Sequence, residues 1–185
     1  YHDLEKEGFD LWNSRQDGQR WTLLTKNNYG HSTVSVNNAL FDVNGDAELL
    51  HFESGDNPKA EFDLTPLYFD NVSEAKRTFL KDGVSSILVT DNISASAKTG
   101  HVTWQLLTEK DVEITDSGAI LMSGNERVVI TNLSHPNRGF TIVQLDPPPL
   151  KLDKKMEGLK RLELQIPVSE FKNGQIEIKV RIAGQ

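Results

Sequence analysis

The stretch NNYGHSTVSVNN (Asn27 to Asn38) sets a histidine, His31, at the head of an alternating run, Thr33-Val34-Ser35-Val36. An imidazole there could ligate a metal, move a proton or decorate a strand end. The other histidines, His2, His51, His101 and His135, form no H-x-H pair and no i, i+4 pair. A β-sheet can gather ligands from distant positions, so spacing alone leaves a zinc site open. Carboxylates are plentiful: Asp42, Asp46, Glu48, Asp56, Asp63, Asp70 and Asp91. Glycoside hydrolysis needs two of them at a set separation across a cleft, and no pair stands out. Asp42-Val43-Asn44-Gly45-Asp46 resembles part of a calcium loop but lacks its acidic ladder and closing Glu. Asn44-Gly45 reads more simply as a turn.

Other chemistries are excluded or unsupported. With no Cys there is no disulfide, thiolate ligand or cysteine nucleophile. No G-x-S-x-G elbow and no phosphate-cradling glycine loop occurs. Exposed aromatic rings could stack on sugars, and Trp12, Trp21, Tyr29, Tyr68 and Trp104 are the candidates, each weighed against core packing. Trp104 sits in the well-patterned run HVTWQLL and is expected in the core. Arg15, Arg20 and Lys26 lie near the histidine motif and could line one edge of a groove, or belong to ordinary surface. Arg20, Trp21 and Tyr29 are the candidate substrate-binding residues.

The elements that must hold these residues follow a period of two. SILVTDNIS, HVTWQLLTE, GAILMSG, ERVVITNLS, FTIVQLD, LELQIPVSE and QIEIKVRIA are strand-length runs separated by turn residues such as Asp82-Gly83 and Asn173-Gly174. In the last run Ile176, Ile178, Val180 and Ile182 share one face, with Glu177, Lys179 and Arg181 on the other. DNVSEAKRTFL could form a helix capped by Ser73. A strand from Ala75 to Lys81 is preferred, because Asp82-Gly83 then closes a hairpin with VSSILVTD. The pattern predicts an all-β fold: an antiparallel β-sandwich of about a dozen short strands in two stacked sheets, with little helix. Residues 1–18 read as a lead-in segment that packs by Phe9, Leu11 and Trp12, and 19–185 as one sandwich domain. LDPPPLKLDKK is a stiff connection inside that domain, a crossing rather than a boundary, since too few residues follow it to bury a second core.

A chain of 185 residues buries roughly 70% of its unfolded surface and needs no staples. Its net charge is −7, from 20 Lys plus Arg and 27 Asp plus Glu, with no basic face of the kind nucleic-acid binding requires. No apolar run approaches the ~20 residues of a membrane helix. The first residue is Tyr1 and no targeting signal is visible, so the chain is expected to be a piece of something longer.

Taken together, GQRWTLLTKNNYGHSTVSVNNALFDVNGDAEL (Gly18 to Leu49) resembles the C-terminal β-domain of heparinase II/III-type polysaccharide lyases. The resemblance continues in YFDNVSEAKRTFLKDGVSSILVTDNI through Arg77, the Asp82-Gly83 turn, Ile87 to Val89 and Asp91, then reaches Trp104; it runs from about Gly18 to Leu107. It implies a sandwich that follows a helical toroid upstream. The pair would cleave uronic-acid-containing, glycosaminoglycan-like polysaccharides by β-elimination. It also implies a bacterial protein that is periplasmic or secreted. His31 matches a histidine that ligates a structural zinc in some members, with partners from an upstream H-x-H segment and an Asp. This chain has no H-x-H, so zinc is expected in the full-length protein and none in this chain alone, which should be inactive by itself. Two further readings stay open: a non-catalytic carbohydrate-binding sandwich, and a structural or adhesin-like one.

Overall fold

The period-two runs fold as strands throughout the computed structural model of the chain, which describes Gly8 and residues 10–185. The first six strands are β1 (Val34–Val36), β2 (Glu48–Glu53), β3 (Lys59–Asp63), β4 (Val72–Lys81), β5 (Ser86–Ala95) and β6 (His101–Thr108). Six more follow: β7 (Asp111–Thr115), β8 (Gly118–Ser123), β9 (Glu126–Asn132), β10 (Thr141–Gln144), β11 (Lys160–Pro167) and β12 (Gln175–Gly184). Among the described residues the only helical pieces are short 3-10 turns, and none is long and apolar enough to cross a membrane.

Two antiparallel sheets result. The short one has the order β1-β6-β11-β10, the long one β2-β3-β4-β5-β12-β9-β8-β7. The segment from Val72 to Lys81 is a strand rather than a helix, and it pairs with β5 across the Asp82-Gly83 turn. Gly83 sits at φ +83°, a left-handed conformation that favours glycine. β12 lies in the middle of the long sheet, bonded to β5 on one side and β9 on the other. The inner faces meet in one core: Val34, Val36, Val102, Trp104, Leu162, Leu164 and Ile166 from the short sheet, against Ile93, Ile130, Ile176, Ile178 and Val180 from the long one. The connection through Pro147 to Pro149 joins β10 and β11, which are neighbours in one sheet, so it loops back instead of crossing.

The outer face of the short sheet is covered too. Leu24 packs with Leu145 and Leu159, flanked by Tyr29, Leu107, Val143 and Met156. The buried carboxylate of Asp153 accepts the Leu24 amide at 2.8 Å and ties the segment down. Of the three anchors expected in the lead-in, Leu11 is buried, Trp12 is 78% exposed, and Phe9 lies outside the described residues. Gln16 adds a polar anchor: its amide donates to the Phe41 carbonyl and accepts from the Val43 amide, both at 2.9 Å.

The loop after β9 carries a pH-sensitive group. Burial lowers the pKa of His135; Arg138 and Lys172 add to the effect and Glu170 opposes it. The folded state therefore holds the proton less tightly than the unfolded state. Stability is full above the ordinary value of 6.5 and is lost as pH falls through it. Urea denaturation on either side of that pH is expected to show the drop, and His135→Gln to flatten it.

Candidate functional site

His31 does not begin a strand. It follows a 3-10 turn, Asn28–Gly30, whose start is fixed by Asn27: the Asn27 side chain accepts from the Tyr29 amide at 3.0 Å and donates to the Trp21 carbonyl at 3.0 Å. Asn28, also buried, donates to the Ala39 carbonyl and accepts from the Phe41 amide, joining the turn to the loop after β1. A glycine is required at position 30, since a Cβ there would lie 1.8 Å from the Leu24 carbonyl oxygen. Gly30→Ala is expected to destabilise the chain by about 1–3 kcal/mol, read as a lower urea midpoint.

Buried side chains from three other elements hold the carbonyls around His31. Gln105 on β6 donates to the carbonyls of Asn28 and of His31, the latter at 2.8 Å. Arg77 on β4 reaches the Ser32 carbonyl at 3.3 Å. Tyr68 donates its hydroxyl to the Val34 carbonyl at 3.0 Å. Burial pushes the Tyr68 phenol well above its ordinary pKa, so it stays a neutral donor. The result is a fixed backbone carrying an exposed imidazole.

Arg77 is itself held by Asp91, its direct cross-strand partner on β5. Nε meets Oδ1 at 2.7 Å and Nη2 meets Oδ2 at 2.9 Å, with both residues facing the interior at 6% and 1% exposure. Burial opposes both charges. At Arg77 the field and hydrogen bonds of Asp91 outweigh it and the pKa rises; at Asp91 burial outweighs Arg77 and the carboxyl is pushed up. The arginine direction agrees with the geometry, because two charge-assisted bonds require a carboxylate.

His31 opens onto a cleft of about 390 Å³, which it lines together with Trp21, Lys26, Asp42, Phe41 and Leu67. Asp42 caps its own turn by accepting the Asn44 amide at 2.9 Å. Among the described residues no three His, Cys, Asp or Glu side chains converge to hold a metal. A second, larger groove adjoins this cleft on the outer face of the short sheet, and Trp21, Asn27 and Leu40 line both. Tyr29 lines the second groove. Its hydroxyl donates to the Asn38 carbonyl, and burial raises its pKa with Arg161 opposing.

Of the candidate residues, the structure gathers Trp21, Tyr29 and His31 around these two adjoining concavities. Arg20 lines neither; its guanidinium lies over the Trp21 ring, 4.7 Å from the centroid. Tyr68 and Trp104 are core residues, 4% and 2% exposed, and cannot stack on a ligand. Sequence reasoning passed over Gln105, Arg161 and Gln165. Their signal was polar side chains at alternate positions of HVTWQLL and KRLELQIP, the outward-facing set of two strands.

No protein-family model and no curated protein matches the chain. Solved structures do. The fold is similar to a mutant of the heparan sulfate lyase HepC from Pedobacter heparinus, with a TM-score of 0.62 at 15% identity over 83% of this chain. It is also similar to the heparinase III BT4657 gene product, at 0.62 and 12% identity over 84%. The form of that product with methylated lysines gives 0.64 and 12% over 90%. At such identities the likeness is one of fold. The chain spans about a quarter of the length of these lyases, 24%, 24% and 25% respectively.

Proposed function

We propose that this chain is the β-sandwich domain of a heparinase-like polysaccharide lyase, placed in the periplasm or outside the cell, that cleaves uronic-acid-containing polysaccharides by β-elimination. The observation that carries the reading is the presentation of His31: an exposed imidazole on a backbone held by Gln105, Arg77 and Tyr68. Side chains kept in place this way suit a surface that completes a site with another domain. The likeness in fold to the lyases supports the same reading.

β-Elimination requires neutralisation of the uronate carboxylate, a base for the adjacent proton and an acid for the leaving oxygen. A helical toroid from the same polypeptide supplies these groups, and His31 stands at the rim of the cleft as the sandwich's part of the shared surface. The residues present do not fit a zinc site by themselves: among the described residues His31 and Asp42 are the one imidazole and the one carboxylate that line the cleft, against four positions in a closed structural site. A zinc at His31 would take its other ligands from the toroid.

The test is the polypeptide encoded by the full reading frame that contains this chain, assayed on a panel of uronic-acid polysaccharides for ultraviolet-absorbing unsaturated uronate. Product is expected, with turnover lowered about 10- to 100-fold by His31→Ala. Absence of product on every polymer overturns the reading. A non-catalytic carbohydrate-binding role is the second reading, favoured by Trp21 and Tyr29 lining adjoining concavities; glycan binding without product would select it.

A further inference from the structure

We propose that the groove on the outer face of the short sheet is a saccharide subsite separate from the His31 cleft, and that it takes an uncharged, N-acetylated pyranose. The proposal rests on the polysaccharide reading above but concerns a different surface. The groove has a volume of about 800 Å³, within the range of small-molecule sites and ample for a disaccharide. Its floor comes from β11, where Arg161, Glu163 and Gln165 alternate with the core residues Leu162, Leu164 and Ile166. Trp21 and Tyr29 also line it and supply ring surface, together with the apolar side chains of Pro149 and Leu150.

Charge decides the ligand. Arg161 donates Nε to Glu163 at 2.8 Å and Nη1 to the Tyr29 carbonyl at 2.7 Å, and its Nη2 lies 2.6 Å from the same carboxylate oxygen. The pair is largely sheltered, 13% and 19% exposed. The groove's cation is thus paired with an anion, so a carboxylate or sulfate would enter without a free counter-charge and lose its hydration. What remains for recognition is amide chemistry: Gln144 and Gln165 from the strands and Asn38 from the covering segment. Amides donate and accept at once, matching sugar hydroxyls and an N-acetyl group. Aromatic rings match the apolar face of a pyranose.

The walls are already formed. The Tyr29 hydroxyl is bonded to the Asn38 carbonyl, and its backbone carbonyl is held by Arg161. The cluster of Leu24, Leu145 and Leu159 fixes the covering segment beside the groove. A ligand therefore meets a preformed surface and spends little binding energy on ordering it. Because Trp21, Asn27 and Leu40 border both concavities, a polymer lying in this groove can continue into the His31 cleft.

The experiment is an NMR titration of the 185-residue chain with two probes, N,N′-diacetylchitobiose and digalacturonate. Saturable shifts are expected with the neutral probe at Tyr29, Asn38, Glu163 and Gln165, and weaker or no binding of the dianionic one. Gln165→Ala, an exposed position, is expected to weaken the neutral probe about three- to tenfold, while Glu113→Gln, on β7 and outside the groove lining, leaves it unchanged. The proposal is overturned by no saturable shift with diacetylchitobiose, by equal or tighter binding of digalacturonate, or by shifts centred on His31. Product formation by the longer polypeptide judges the lyase reading, so either claim can fail while the other stands.

Discussion

Asp91→Ala is expected to lower the unfolding free energy by about 3–5 kcal/mol, because it leaves the Arg77 guanidinium buried and unpaired. The carboxylate meets Arg77 through two bonds, at 2.7 and 2.9 Å, on the inner face of the long sheet. Solvent reaches neither group well: Arg77 is 6% exposed and Asp91 1%. The double variant Arg77→Met/Asp91→Leu removes both charges and is expected to recover most of the loss, since apolar replacements of a buried pair are often neutral or better. It does not restore the donor to the Ser32 carbonyl. A double variant that is stable yet impaired in any His31-dependent activity would therefore separate the structural use of the pair from its positioning use. Urea denaturation with linear extrapolation measures the first. A loss under about 1 kcal/mol for Asp91→Ala, the level of a surface pair, would contradict the burial described.

Trp104→Ala has an expected effect of similar size, about 3–5 kcal/mol. Trp104 is 2% exposed and pairs with Val34 on β1 and Leu164 on β11, so it stands where three strands of the short sheet meet. Its ring packs edge-on against Phe140, with centroids 5.7 Å apart and planes at 64°. Alanine would open a cavity behind β1, a strand of only three residues that leads out of the His31 turn. Trp104→Phe should cost clearly less than Ala. The indole N–H has no hydrogen-bond partner among the described residues, and a buried orphan donor carries a penalty that phenylalanine removes. Near-equal losses for Ala and Phe would contradict the packing role given to the ring.

Period-two alternation made the strands legible, and the Asp82-Gly83 turn made the β4–β5 hairpin legible, because both signals are local. Sheet membership was not. β1 leads into a loop that leaves the short sheet for β2 in the long one, and nothing in Asn37 to Ala47 marks the change. The burial of Gln105 was hidden for a related reason: its outward position on β6 reads as wet until the segment around Asn28 covers it. Trp12 stands exposed where the lead-in reading had it packed, and Gln16, which no local pattern singles out, ties the segment to Phe41 and Val43. His31 was visible by type. The three side chains that hold it lie 37, 46 and 74 positions away, a distance that no local pattern spans.

The central position of β12 bears on how the chain is made. During synthesis β2–β5 and β7–β9 emerge as two separate meanders, and the strand that joins them is the last of the twelve to leave the ribosome. Until then β5 and β9 each present a bare edge, and the apolar faces around them have no finished partner layer. The sandwich closes only when Ile176, Ile178 and Val180 slot between the two halves. A nascent chain stalled before those residues would be a sticky pair of half-sheets, the kind of species that chaperones hold.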